Sequence, residues 1–206
     1  FFKIFIKNDF KITGLFYELN DFKFRKYLNI VRKNSSTENP DLMIVMMNPG
    51  SSRPLKEENY LNTESEAIPD RTQDQIMRLM NNCSFNYARI LNLSDLREAN
   101  SSVFYETISE LDNHKITHSI FDIERIEEFE ELFVNNTPVI FAWGVNKKLM
   151  KLAIQAINRI GEIKPIGIKK LGFEYAYYHP LPQNHKKQVE WVEKITGIIK
   201  SPQHHV

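Results

Sequence analysis

The chain has 206 residues, of which 42% are hydrophobic, 26% charged and 12% aromatic, with a formal net charge of +1. That composition excludes a disordered, collagenous or disulfide-stapled chain. The length predicts one α/β domain over 1–206, with an N-terminal β-hairpin at about 1–20 and a core at about 25–200. No apolar run approaches the roughly 18 residues that span a bilayer, so no membrane partner is expected. The start, Phe1-Phe2-Lys3-Ile4-Phe5-Ile6-Lys7, alternates and lacks a signal-peptide pattern. A single cysteine, Cys83, excludes an internal disulfide and fits a reducing cytoplasm.

Residues 2–6 and 10–19 read as a β-hairpin or meander around Thr13-Gly14, and 22–33 as a strand toward the core. Asn34 to Pro40 is a polar loop. Leu42 to Met47 is an uninterrupted apolar run, short enough for a buried parallel strand. Residues 51–72 read as a long loop, 73–81 as a helix and Ala88 to Leu93 as a second central strand. Val103 to Leu111 suits a helix. Ile123, Ile126, Phe129, Leu132 and Phe133 mark an amphipathic helix with an acidic outer face. Pro138 opens a third strand. The strongest helical period runs over 145–160, from Val145 through Leu149, Leu152 and Ala156 to Ile160. Residues 163–168 and 173–178 are strand candidates, and 186–199 a final helix. Alternation of strand and helix predicts a three-layer sandwich around a central, mostly parallel sheet.

Charge is unevenly spread along the chain. Residues 104–136 carry net −7 and residues 137–206 net +7. A basic field is what phosphate contacts require, although a solvated helix face has the same look. No cluster of Cys, His or acidic residues has metal-ligand spacing, so no metal and no cofactor is expected. The sequence does not identify a protein partner.

Several polar or special residues end apolar runs. Asn48-Pro49-Gly50 follows the first central strand, Asn92 ends the second and Trp143-Gly144 ends the third. His179-Pro180 follows the aromatic stretch Tyr175 to Tyr178. In an open α/β sheet, ligands bind at the carboxyl ends of strands. Asn48, Asn92, Trp143 and His179 are therefore expected in one cleft. An Asn there can hold a water through its carbonyl. A His can donate to a developing anion.

These motifs carry a resemblance. Met47-Asn48-Pro49-Gly50 resembles the first motif of the uracil-DNA glycosylase superfamily. His179-Pro180-Leu181-Pro182-Gln183-Asn184 resembles its last, His-Pro-Ser-Pro followed by a wedge loop. Val139 to Gly144 and Ile90 to Leu93 are similar to the strands between them. The chain also resembles, over about 25–185, a bacterial family of unknown function, domain-of-unknown-function family 1643. That resemblance rests on Met46 to Ser51, Asp70-Arg71-Thr72, Asn92 to Arg97 and Ala142-Trp143-Gly144.

The first resemblance implies a uracil-DNA glycosylase-like fold. It also implies a hydrolase of the N-glycosidic bond of a modified or damaged base in DNA, a repair activity. Asn48 would position the attacking water and His179 would stabilise the departing base. Asn92 would read the base edge, and Pro49, Gly50 and Ser51 would approach base or phosphate. Trp143 would belong to the pocket, Gln183 would be the wedge and Asn184 would stand beside it. Two departures weaken the match. Tyr60 is the nearest aromatic available for stacking, and Leu181 replaces the Ser of the last motif. Candidate phosphate contacts are Arg53, Arg97, Lys147, Lys148, Lys186 and Lys187. Two other functions fit the same motifs: a base- or nucleotide-binding module without chemistry, and a hydrolase of free nucleosides or nucleotides.

Overall fold

The computed structural model describes residues 8–201. Strands β1 (Phe10–Leu19) and β2 (Phe22–Arg32) form an antiparallel hairpin. Its turn is Asn20-Asp21, both at positive φ (50° and 66°). A two-residue hairpin turn needs that conformation, and Asn and Asp tolerate it best after Gly. The chain therefore runs straight through Thr13-Gly14. Residues 2–6 lie outside the described residues. The hairpin spans Phe10–Arg32 rather than 1–20, and β1 lies inside the main sheet, hydrogen-bonded to both β2 and β5 (Glu64–Ile68).

The remaining strands are β3 (Leu42–Met46), β4 (Arg53–Pro54), β6 (Tyr87–Asn92) and β7 (Val139–Phe141). The seven strands of the described residues lie in the order β4-β5-β1-β2-β6-β3-β7. Among the described residues, only the β3–β6 and β3–β7 strand pairs are parallel. The sheet is thus mixed, and the expectation of a mostly parallel one is corrected. Strand–helix alternation holds only from β3 onward. The N-terminal hairpin and residues 53–68 add antiparallel strands at one side. The segment expected as a loop over 51–72 contains both β4 and β5.

Helices cover both faces, so the fold is a mixed α/β sandwich of three layers. All five residues of β3 are buried, and they alternate between two cores. Leu42, Ile44 and Met46 face α1 (Arg71–Cys83) and α5 (His185–Lys200), through Ile76, Met80, Trp191 and Ile195. Met43 and Val45 face α2 (Ser101–Asn113), α3 (Ile126–Leu132) and α4 (Met150–Ile160), through Phe104, Phe129 and Leu152. This two-sided burial is why β3 carries no polar residue.

Three local readings change. Ile123 and Ile126 are exposed, because a 3₁₀ turn at Ile123–Arg125 precedes α3 and Arg125 takes the inward position. Its guanidinium meets Asp95 Oδ2 at 2.7 Å and Glu128 at 3.0 Å. The 145–160 helix begins as a 3₁₀ turn at Lys147–Leu149 capped by Asn146. Residues 163–168 and 173–178 make only single bridges, Ile166 to Ile140 and Tyr177 to Gly144 and Lys169. Pro165, Gly167 and Gly172 interrupt any longer ladder.

Candidate functional site

The site grows from the carboxyl ends of β3 and β6. Beyond Met46 the two strands stay hydrogen-bonded, Leu93 N to Met46 O and Ser94 N to Met47 O. The chain then turns at Pro49-Gly50, with Gly50 at φ +60° and Ser52 N donating back to Pro49 O. Asn48 is held through its amide nitrogen, which donates to Leu96 O (3.2 Å) and Glu98 O (2.6 Å). Its Oδ1 is left for another donor.

A second wall comes from the start of α1. Asp70 caps this helix: Oδ1 accepts from Thr72 N (2.8 Å) and Gln73 N (3.0 Å). Gln73 Oε1 accepts from Asp70 N (3.0 Å), completing a capping box. The third wall is His179. Its Nδ1 accepts from Leu181 N (3.1 Å), so the neutral ring carries its proton on Nε2. Burial pulls this imidazole down to about 4, only partly opposed by the Asp70 carboxylate. The ring is therefore neutral at pH 7 and offers a donor.

These walls enclose a cavity of about 180 Å³, lined by Asn48, Pro49, Asp70, Gln73, Glu98, His179 and the apolar Met46 and Ile90. A larger open cleft of about 580 Å³ shares its Gly50, Asp70, Thr72 and Ala99 wall and adds Ser51, Arg53, Arg71 and Leu181. The larger cleft gives the cavity an open approach.

Arg25 also lines the cavity, and sequence reasoning missed it. Along β2, Leu15 pairs with Tyr27 but Phe16 pairs with Arg25, leaving Lys26 as the extra residue of a β-bulge. The bulge reverses the strand's alternation, so Phe24 and Tyr27 share one core while Leu28 and Ile30 face the other. Arg25 is thereby turned toward Met46, Ile90 and the start of α1, a re-aiming that bulges commonly perform. It is 2% exposed. Its Nη2 meets Asn92 Oδ1 at 3.2 Å, and Asn92 Nδ2 donates to the Asn48 carbonyl at 3.2 Å. Arg25 Nε and Nη1 have no hydrogen-bond partner among the described residues. Burial lowers its guanidinium to about 10, which leaves it charged. Asp70 and Gln73 were also missed as site residues. Their signal was legible as an Asp-x-x-Gln capping pattern.

The remaining candidates fall at varied distances from this centre. Asn92 is fully buried beneath Asn48 and supports it from below. Trp143 is 1% exposed and points into the opposite core, where it packs on Phe141 and Tyr177 and donates Nε1–H to Tyr175 O at 2.7 Å. It does not line the cavity. Its neighbour Gly144 lines a third hollow of about 490 Å³, with Val145, Tyr178, Trp191 and Lys187, and His179 stands between that hollow and the first. Tyr60 packs edge-on against Phe16 and donates to Glu18 Oε1, apart from the cavity walls. Gln183 is exposed, and Asn184 caps α5 by accepting from Lys186 N and Lys187 N. Arg97 lies over the Phe16 ring at 5.3 Å and donates to Ser52 O at 2.6 Å, pinning the turn after Gly50. Ser51 and Arg53 are exposed at the cleft mouth. Lys147, Lys148, Lys186 and Lys187 are exposed, and Lys148 sits over the Tyr105 ring at 5.0 Å. No group of three or more metal-ligating side chains occurs among the described residues. No described helix is long and apolar enough to cross a membrane.

The model of a family described as protein of unknown function, DUF1643, matches residues 29–181. The chain belongs to the DUF1643 family. That match covers most of the chain and every cavity-lining residue except Arg25. No curated protein and no solved structure matches it.

Proposed function

We propose that this DUF1643 chain is a DNA glycosylase-like hydrolase with a uracil-DNA glycosylase-like fold, which takes a modified or damaged base into the cavity and cleaves its N-glycosidic bond. The observation that carries this reading is that Asn48 and His179, far apart in sequence, line one small cavity. The neutral imidazole directs its Nε2–H toward an acceptor on the base, where charge accumulates as the bond breaks. Asn48 Oδ1 holds the water. Such cleavage passes through an oxocarbenium-like state, so stabilising the leaving group does much of the work without a strong base. The open cleft beside the cavity, with Arg53 and Arg71 on its walls, leaves room and positive charge for a sugar–phosphate backbone.

One observation favours a second reading, a base-binding module without chemistry. The Asn48 amide nitrogen is already committed to two backbone carbonyls, so this residue also ties the turn together. The deciding experiment incubates the protein with single- and double-stranded oligonucleotides carrying a panel of modified bases, followed by cleavage at abasic sites. Free nucleosides run in parallel. Strand cleavage that disappears in His179→Ala supports the glycosylase. Release of base from nucleosides alone assigns a nucleoside hydrolase. Binding without release assigns the module.

A further inference from the structure

Among the described residues, the buried Arg125 and the half-buried Arg89 are both partnered, and the buried Arg25 at the cavity is left partly unpartnered. Arg125 is met by Asp95 and Glu128, and Arg89 by Asn29, the Leu132 carbonyl and Tyr87. Arg25 is the most enclosed of the three, yet it forms no ion pair among the described residues. Its one side-chain hydrogen bond goes to the Asn92 amide oxygen, and two of its nitrogens are unpartnered. Asp70 and Asp95 attract it without pairing to it, so desolvation still outweighs them, and an anion arriving within hydrogen-bond reach of the two nitrogens relieves that penalty. The bulge at Lys26 holds it against the cavity rather than letting it turn to solvent.

We infer that the ligand is a heterocyclic ring that presents an anionic edge to Arg25; this rests on the base-binding reading above. The walls select a ring over a phosphate. Met46, Pro49 and Ile90 give apolar contact to a flat face. Asp70 and Glu98 stand in the same wall and would repel a doubly charged phosphate. A ring with one charged edge meets Arg25 and the His179 donor and keeps its neutral faces toward the rest. Arg25 is then the residue that makes the cavity selective for charge.

Calorimetric titration tests this with three probes: barbiturate, a pyrimidine ring that is anionic at neutral pH; uracil, its neutral counterpart; and inorganic phosphate. The native protein binds barbiturate at least about tenfold more tightly than uracil, and phosphate more weakly than either. Arg25→Gln removes the advantage of the anionic ring, and Arg25→Lys retains part of it. Should Arg25→Gln fail to fold, the native protein still decides at neutral pH, where the His179 ring is uncharged and the preference for barbiturate over uracil must appear. Equal affinity for the two rings, an advantage that survives in Arg25→Gln, or tighter binding of phosphate overturns the inference. If neither ring binds while abasic sites form in the oligonucleotide assay, the inference falls and the glycosylase reading stands. If the anionic ring binds and no abasic site forms, the inference stands and the catalytic reading falls.

Discussion

Asn48 and His179 share a cavity but are held in different ways, so their substitutions separate. Asn48→Ala removes two hydrogen bonds and strands the carbonyls of Leu96 and Glu98. Its expected cost is about 1–3 kcal/mol, a melting-temperature drop of roughly 2–12 °C for a chain of this size. His179→Ala loses one local bond from Leu181 N and should melt within about 2 °C of the native protein. Both should abolish base release. Thermal melts beside the abasic-site assay check this, and a His179→Ala variant that unfolds would make His179 a structural residue instead. The ionisation of His179 is separately testable. Its folded value of about 4 lies below the ordinary 6.5, so its neutral form is fully favoured above about pH 6.5. Stability is lost as the pH falls from about 6.5 toward 4. The imidazole resonance of His179 should therefore titrate near 4 by NMR, and the acid loss of stability over that window should shrink in His179→Ala. His118, which burial also lowers, leaves a remainder of the same sign. A His179 resonance titrating near 6.5 would remove the neutral donor from the proposed chemistry.

At the scale of elements, the cavity depends on two devices, a helix cap and a bulge. Asp70→Ala deletes the cap of α1 and half of its capping box. The expected cost is about 1 kcal/mol, with greater hydrogen exchange at Thr72 and Gln73 than in the rest of α1. Gly167 is a different kind of constraint. A Cβ there would stand 2.8 Å from the Phe141 carbonyl and 2.6 Å from Tyr177 Cδ1, so Gly167→Ala forces the segment away from β7 at about 1–3 kcal/mol. A melting temperature unchanged by Gly167→Ala would mean that this segment packs more loosely. The same elements show what could be read in advance. β3 and β7 were legible because unbroken apolar runs mark strands buried on both faces, and β6 because Ala88, Ile90 and Leu91 form a short apolar segment interrupted by Arg89 alone. α1, α2 and α5 were legible from their period. β5 was not, because Glu64-Ser65-Glu66 presents polar residues on both faces of a strand near the sheet's edge. Arg25 was not, because simple alternation places it with Tyr27, and the extra residue Lys26 that reverses it leaves no mark in the sequence. Of the four strand-end residues expected at the cleft, Asn48 and His179 line it. Asn92 and Trp143 became support and core because their side chains are apposed to buried surfaces that sequence order does not reveal.

The whole molecule decides where a nucleic acid could lie. The acidic segment 104–136 supplies α2 and α3, which share a layer with the basic α4. Lys151 pairs there with Asp112 at 2.6 Å, so part of the basic third is neutralised within the fold. Lys186 and Lys187 open α5 on the other layer, exposed, and Lys187 borders the hollow that ends at His179. They sit at a helix N-terminus, where the macrodipole disfavours cations by about 0.3–1 kcal/mol each. Substitution by acids should therefore have opposite effects on two observables. Lys186→Glu with Lys187→Glu should leave the melting temperature unchanged or slightly higher, because Glu suits the first turn. The same change should weaken DNA binding for all sequences alike, because phosphate contacts carry no base information. The slope of log affinity against log salt should also become shallower by about 0.7–0.9 for each phosphate that is no longer neutralised. Arg53→Ala, at the mouth of the cleft, should lower that slope by about one further phosphate. Fluorescence anisotropy across a salt series, with single- and double-stranded probes, measures both the affinity and its slope. Binding that ignores salt, or that survives the double reversal, would move the ligand off this face and leave the cavity to a free small molecule.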